Sequence, residues 1–352
     1  MIRVNSLGNK YPQKREHYLD NMRAIAIIMV VGVHSIAYSI ELPKNQEEII
    51  TFVVQTIAVP VFFLVDGYIY ANSSTNTDNQ SYFKYVRKSS FRLLIPWALF
   101  TFFYSLTRYI FEFTGFLEEK SIIGHSWQEV AVSAYASVYA PQMYFLLSLF
   151  LIRLCTPILH LLFIRNSYLL TLLLFTIYFV VYIYSKPIIS HYLNIAGGQE
   201  PITHALWGLQ FYLVGIILFK TSLIVEIRKL FIPFALSFSI ALYLQITYKN
   251  TSDILIQYLY LLTFFTFFTL TQIRSSLINF LGRNTMGIYL IHAPIVLKGT
   301  SLIINNITLI PILSYVSVLI GSLTLSILII AAINRVPYSC LIFGAPYHRS
   351  NS

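Results

Sequence analysis

Apolar residues fall along this chain in long blocks separated by short polar stretches. Blocks of about 17 to 25 mainly apolar residues are long enough to cross a bilayer as helices. Ten are visible, at 18–40, 49–70, 91–111, 143–163, 168–184, 204–219, 230–247, 254–271, 285–303 and 308–334, the fifth and sixth short and the last long. The pattern predicts an all-α fold, a polytopic membrane bundle of about ten helices with both termini on the same side. It divides the chain into an N-terminal tail at 1–17, a membrane domain at 18–334 and a C-terminal tail at 335–352. The longest connector, about 112 to 142, is too short for a separate soluble domain, and no internal repeat or low-complexity tract is visible.

Basic residues orient the bundle. Sixteen lysines and arginines sit in the tails and in the connectors on the side of the termini, against five on the opposite side. The excess of positive charge on inner loops puts both termini in the cytoplasm. Three arginines, Arg23, Arg108 and Arg153, fall inside spans. Charged residues make up only 11% of the chain, where a soluble domain carries about 25%. The net charge of +10 is thereby assigned to membrane topology, and no nucleic-acid partner is expected. Cys155 and Cys340 are expected as small buried side chains, without metal-ligand spacing. No small-residue cleavage site follows the first block, so it is expected to be retained as a helix.

That first block, LDNMRAIAIIMVVGVHSIAYSI, carries Arg23 and His34. An arginine at the centre of a membrane helix costs about 2.5 to 3.5 kcal/mol on insertion, which makes ionisable residues there functional candidates. Eleven steps of about 100° come within about 20° of three turns, so both side chains leave the same side of the helix, roughly 16 Å apart. With the N-terminus inside, Arg23 lies near the cytoplasmic interface and His34 past the midplane. Desolvation favours a neutral imidazole, which can accept a proton from a hydroxyl; a histidine bonded between helices is the plainer alternative.

Three further groups stand out. Lys84, Arg87, Lys88 and Arg92 lead into the third span at the same cytoplasmic face. Arginine forks suit phosphate, but Arg87 and Arg92 line one opening only if the segment bends before Pro96; otherwise they are ordinary inner-loop charge. Pro96 and Trp97 are expected as a kink and an interfacial anchor. Asp66, in PVFFLVDGYIY, is expected to be protonated or paired with a cation such as Arg23 or Arg92. GRNTMGIYLIHAPIV spaces Thr285, Tyr289 and His292 by four and three, one polar face that fits helix packing as well as a site.

Four motifs in register, MRAIAIIMVVGVH, PVFFLVDGY, RKSSFRLLIPW and GRNTMGIYLIH, resemble the acyltransferase-3 family of integral membrane acyltransferases; YFLLSLFLIRL and WGLQFYLVGIILFK match more loosely. The resemblance covers essentially the whole chain. It implies an O-acyltransferase of the bacterial inner membrane that moves an acyl group, usually acetyl, from cytosolic acetyl-CoA to a sugar hydroxyl of a surface polysaccharide or a lipid-linked glycan, without a metal. It implies His34 as the catalytic base, Arg23 as support for donor binding, Arg87 and Arg92 as contacts for the CoA phosphates, and Tyr289 and His292 as members of a motif without assigned role. The second motif departs from the family: Asp66 stands where a serine is usual, so that serine's role does not carry over. A pantetheine arm reaches about 15 to 20 Å, comparable with the roughly 16 Å from Arg23 to His34.

Two other readings fit a polytopic chain with buried charge. A transporter or flippase of glycan intermediates predicts paired broken helices in two halves, and no such repeat is visible in the sequence. The membrane half of a larger assembly requires an extracytoplasmic esterase-like partner encoded elsewhere.

Overall fold

The computed structural model describes residues 17–74, 82–164, 167–193, 201–220, 229–248, 253–271, 273–308, 310–335 and 342–343. Most of both expected tails, and the part of the polar connector at 75–81, lie outside the described residues.

Every apolar block is helical. The elements are α1 (His17–Ile36), α2 (Lys44–Ser74), α3 (Tyr82–Phe113), α4 (Trp127–Tyr135), α5 (Tyr144–Leu154), α6 (Thr156–Leu159, continuing as a π-turn, His160–Ile164), α7 (Tyr168–Leu193) and α8 (Pro201–Lys220). They continue as α9 (Phe231–Tyr248), α10 (Asp253–Thr271), α11 (Ser276–Arg283), α12 (Thr285–Ile291), a π-turn at His292–Val296, α13 (Leu297–Ile304) and α14 (Pro311–Ile333). Among the described residues, eight helical runs are long and apolar enough to cross a membrane. The chain is therefore a multi-pass helical membrane protein. Three of the ten expected spans are modified: the fourth is bent by 56° between α5 and α6, the seventh is a shorter helix, Phe231–Thr247, and the ninth is interrupted by non-helical backbone at Ala293.

Glycine sets the closest crossing. A Cβ on Gly67 of α2 would lie 2.0 Å from the Tyr212 carbonyl oxygen, and one on Gly215 of α8 would lie 2.1 Å from that of Leu64. Without an aqueous phase to drive helices together, such backbone contact is the main source of association in lipid, and any side chain at these positions would separate α2 from α8. Next to this pair, α1 is enclosed by α2, α10, α11, α12 and α14. Much of α7 and of the outer face of α3 is left to the lipid.

The connector after α3 is held by one carboxylate. Glu112, 2% exposed, accepts the backbone N–H groups of Ser121, Ile122 and Ile123, each at 3.0 Å, and pairs with Arg108 Nε at 2.9 Å. Three residues after Ile123, Ser126 and Glu129 form a capping box that starts α4.

Candidate active site

A cavity of about 180 Å³ opens where α1, α2, α3, α5, α11 and α12 meet. Four arginines reach it: Arg23 from the start of α1, Arg92 from α3, Arg153 from the last turn of α5 and Arg283 from the end of α11. Asp66, Thr285 and Tyr289 complete its polar wall, and Phe62, Leu93, Phe145, Leu149 and Met286 its apolar one. Four guanidinium groups face one carboxylate in this wall. The balance of donors suits a polyanion with several phosphate oxygens.

Asp66 is already paired, and with Arg153, not with Arg23 or Arg92. Arg153 Nε donates to Oδ2 at 3.0 Å and Nη2 donates to Oδ1, a fork-to-fork pair with the two residues 9% and 8% exposed. The reason is helix adjacency, which spacing within one helix does not reveal. Phe62 and Phe63 of α2 pack on Phe145 of α5 at ring separations of 5.8 and 5.0 Å, and further along the same interface Asp66 meets Arg153. Arg23 instead leans towards Asp20, Nη1 to Oδ1 3.9 Å.

The third helix is continuous. It runs through Pro96 without interruption from Tyr82 to Phe113, so five residues at about 100° each leave Arg87 about 140° around the helix from Arg92. Arg92 lines the cavity; Arg87 is exposed and lies over the Phe91 ring, 5.8 Å from its centroid. The two arginines are not brought together.

Deeper in, the polar line continues along α12. Tyr289 is buried against Phe145, and its hydroxyl has no protein partner among the described residues. Its ring lies 6.1 Å from that of His292, which in turn lies 5.3 Å from that of His34 on α1. His292 is fully buried, with Nδ1 3.0 Å from the Ile288 carbonyl oxygen and Nε2 without a protein partner among the described residues. Immediately after it the helix breaks at Ala293, whose backbone is extended (φ −127°, ψ 150°). Pro294 has no N–H to give the Leu290 carbonyl, and the Tyr104 hydroxyl from α3 supplies the bond; Gln142 Nε2 donates to the Ala293 carbonyl.

Arg153 and Arg283 had no assigned role in the sequence. The signal for Arg153 was present: it lies inside a span, where the insertion cost that singled out Arg23 applies equally. Arg283 is hidden among ordinary inner-loop charges. Cys155, expected to be buried, is exposed at the bend between α5 and α6. His204, without an expected role, stacks on Tyr144 with ring centroids 4.1 Å apart.

A family model described as an acyltransferase domain matches residues 16–331. No curated protein and no solved structure matches.

Proposed function

The chain belongs to the acyltransferase-3 family and is a multi-pass membrane acyltransferase, and on that premise we propose that it is an O-acetyltransferase of the bacterial cytoplasmic membrane. It takes acetyl from cytosolic acetyl-CoA and transfers it to a sugar hydroxyl of a surface polysaccharide or its lipid-linked precursor. One observation carries the reading: an arginine-lined cavity from whose wall a line of polar side chains, Tyr289, His292 and His34, runs inward.

The loop charges put the arginine end of the bundle in the cytoplasm. There Arg23, Arg92 and Arg283 hold donor phosphates, and Arg153 stays locked to Asp66. The Tyr289 hydroxyl, buried without a protein partner among the described residues, donates to the thioester carbonyl oxygen as negative charge develops on it. His34 takes the proton of the sugar hydroxyl while its oxygen attacks the acyl carbon. The carbon–sulfur bond breaks, and the thiolate recovers the proton from His34. Direct transfer is supported by the cavity wall, where the hydroxyls are those of Tyr289 and of Thr285, the latter donating to the Leu281 and Gly282 carbonyls at 3.1 and 2.9 Å.

One observation favours a second reading. Among the described residues, the interrupted spans are the fourth and the ninth of the ten expected, which occupy corresponding positions if the chain is halved, and both contribute to the cavity. Paired interruptions of that kind mark the substrate sites of transporters. Comparing envelope polysaccharide from cells with the intact gene, its deletion and His34→Ala, by NMR and mass spectrometry, separates the two. Loss of an acetyl ester in the deletion, restored by wild type and not by His34→Ala, is the expected outcome. Unchanged acylation with glycan missing from the surface would replace the enzyme by the transporter.

A further inference from the structure

The proton inventory of His292 fixes more than its position. A carbonyl oxygen can only accept, so the 3.0 Å contact between Nδ1 and the Ile288 oxygen requires the proton on Nδ1. A neutral ring has one ring proton, which leaves Nε2 as a bare acceptor. That acceptor is fully buried and has no protein partner among the described residues. The half-buried ring of His34 lies beside the His292 ring, 5.3 Å away between centroids and tilted by 52°. A nitrogen-to-nitrogen hydrogen bond of about 3 Å, with about 1 Å of ring at each end, puts centroids about 5 Å apart. The rings thus have the centroid spacing that a direct bond would give.

We infer that His292 is a positioning residue for His34: its Nε2 accepts the N–H of one His34 nitrogen and so leaves the other nitrogen bare towards the acceptor hydroxyl. The inference rests on His34 being the base of the proposed transfer. The chain of donors runs in one direction, from His34 N–H to His292 Nε2 and from His292 Nδ1–H to the Ile288 oxygen. When His34 takes the hydroxyl proton it becomes an imidazolium, and the bond to His292 becomes charge-assisted, about twice as strong as a neutral one. When the proton passes to the departing thiolate, His34 returns to the neutral tautomer it started from. No net proton moves onto His292. The surroundings favour a fixed acceptor over a second base: His292 is sealed between α12 and the break, with Tyr104 and Gln142 holding the two carbonyls beside it.

Two readouts on the full-length protein in lipid bilayers test this. With ¹⁵N-labelled histidine, His292 is expected as the Nδ1–H tautomer with a nitrogen–nitrogen correlation to His34, and His292→Leu is expected to shift the His34 ring resonances. Those spectra are independent of any transfer, so they separate this inference from the function it rests on. His34 resonances unmoved by His292→Leu overturn it. In kinetics, His292→Gln offers an amide oxygen near the Nε2 position and is expected to keep kcat within about tenfold, whereas His292→Leu loses about 100-fold or more, with the KM for acetyl-CoA unchanged in both. A His292→Leu variant with wild-type kcat overturns the inference, as does a His292→Gln that binds donor normally yet is as inactive as His292→Leu.

Discussion

The two broken spans contain the same backbone defect in two environments. In each, a proline removes the hydrogen bond to the carbonyl four residues earlier. Between α5 and α6 that carbonyl belongs to Arg153, and the neighbouring Thr156 hydroxyl donates to it at 2.7 Å; Tyr82 donates to the Leu154 carbonyl at 3.0 Å in an exposed bond, and Cys155 is exposed beside them. Between α12 and α13 the carbonyl belongs to Leu290, and its donor, Tyr104, comes from 186 residues away in the chain. The Ala293 carbonyl depends likewise on Gln142, 151 residues away, and the surroundings are buried. Irregular backbone at membrane depth survives only where protein satisfies it. At the first break the Arg153 carbonyl is capped by its neighbour Thr156 and the Leu154 carbonyl by Tyr82 of α3, with Arg153 lining the cavity; at the second, both carbonyls rely on distant segments, and His292 lies beside His34.

Asp66→Asn tests the first break most severely. It leaves the Arg153 charge buried without its partner and is expected to cost about 3 to 5 kcal/mol, read as a large fall in Tm in detergent. Asp66→Leu with Arg153→Met should recover most of that loss. A single variant that melts with the wild type would mean that Arg153 is held by something other than Asp66.

Tyr104→Phe sharpens the contrast between the breaks. It strands a buried carbonyl, for about 1 to 3 kcal/mol, while Tyr82→Phe, which removes the exposed bond to the Leu154 carbonyl, should cost about 0.5 to 1.5 kcal/mol. Equal melting shifts for the two would erase the distinction drawn here. The smallest effect concerns the arginines around α3. Arg92→Ala should weaken acetyl-CoA binding about tenfold, in line with the lower range for hydrogen bonds to charged groups, and Arg87→Ala should leave it unchanged. Isothermal titration on both variants measures this, and equal losses would bring Arg87 back to the donor site.

The helices were legible because a bilayer demands one thing of a segment, a sufficient apolar length, and that requirement is written locally. The site was legible only in its parts. Arg23, Asp66, Arg92 and Tyr289 could each be noticed in its own block, yet which of them meet depends on which helices touch. That is why Asp66 was expected to pair with Arg23 or Arg92 and pairs with Arg153, and why nothing in the spacing of α1 or α12 announces that His34 faces His292. Arg87 is the opposite case: helical phase alone turns it away from Arg92 once α3 is known to be continuous helix between them.

The Asp66–Arg153 pair also has a history within each molecule. The two residues are 87 positions apart, so at about 5 to 20 residues per second the ribosome delivers the arginine roughly 4 to 17 seconds after the aspartate. During that interval the second span carries a carboxylate that costs about 2.5 to 3.5 kcal/mol at the centre of a bilayer. Its residence in the lipid is provisional until the fourth span arrives, which makes biogenesis ordered in time: a nascent chain stalled before α5 presents an orphan charge, and a completed one conceals it.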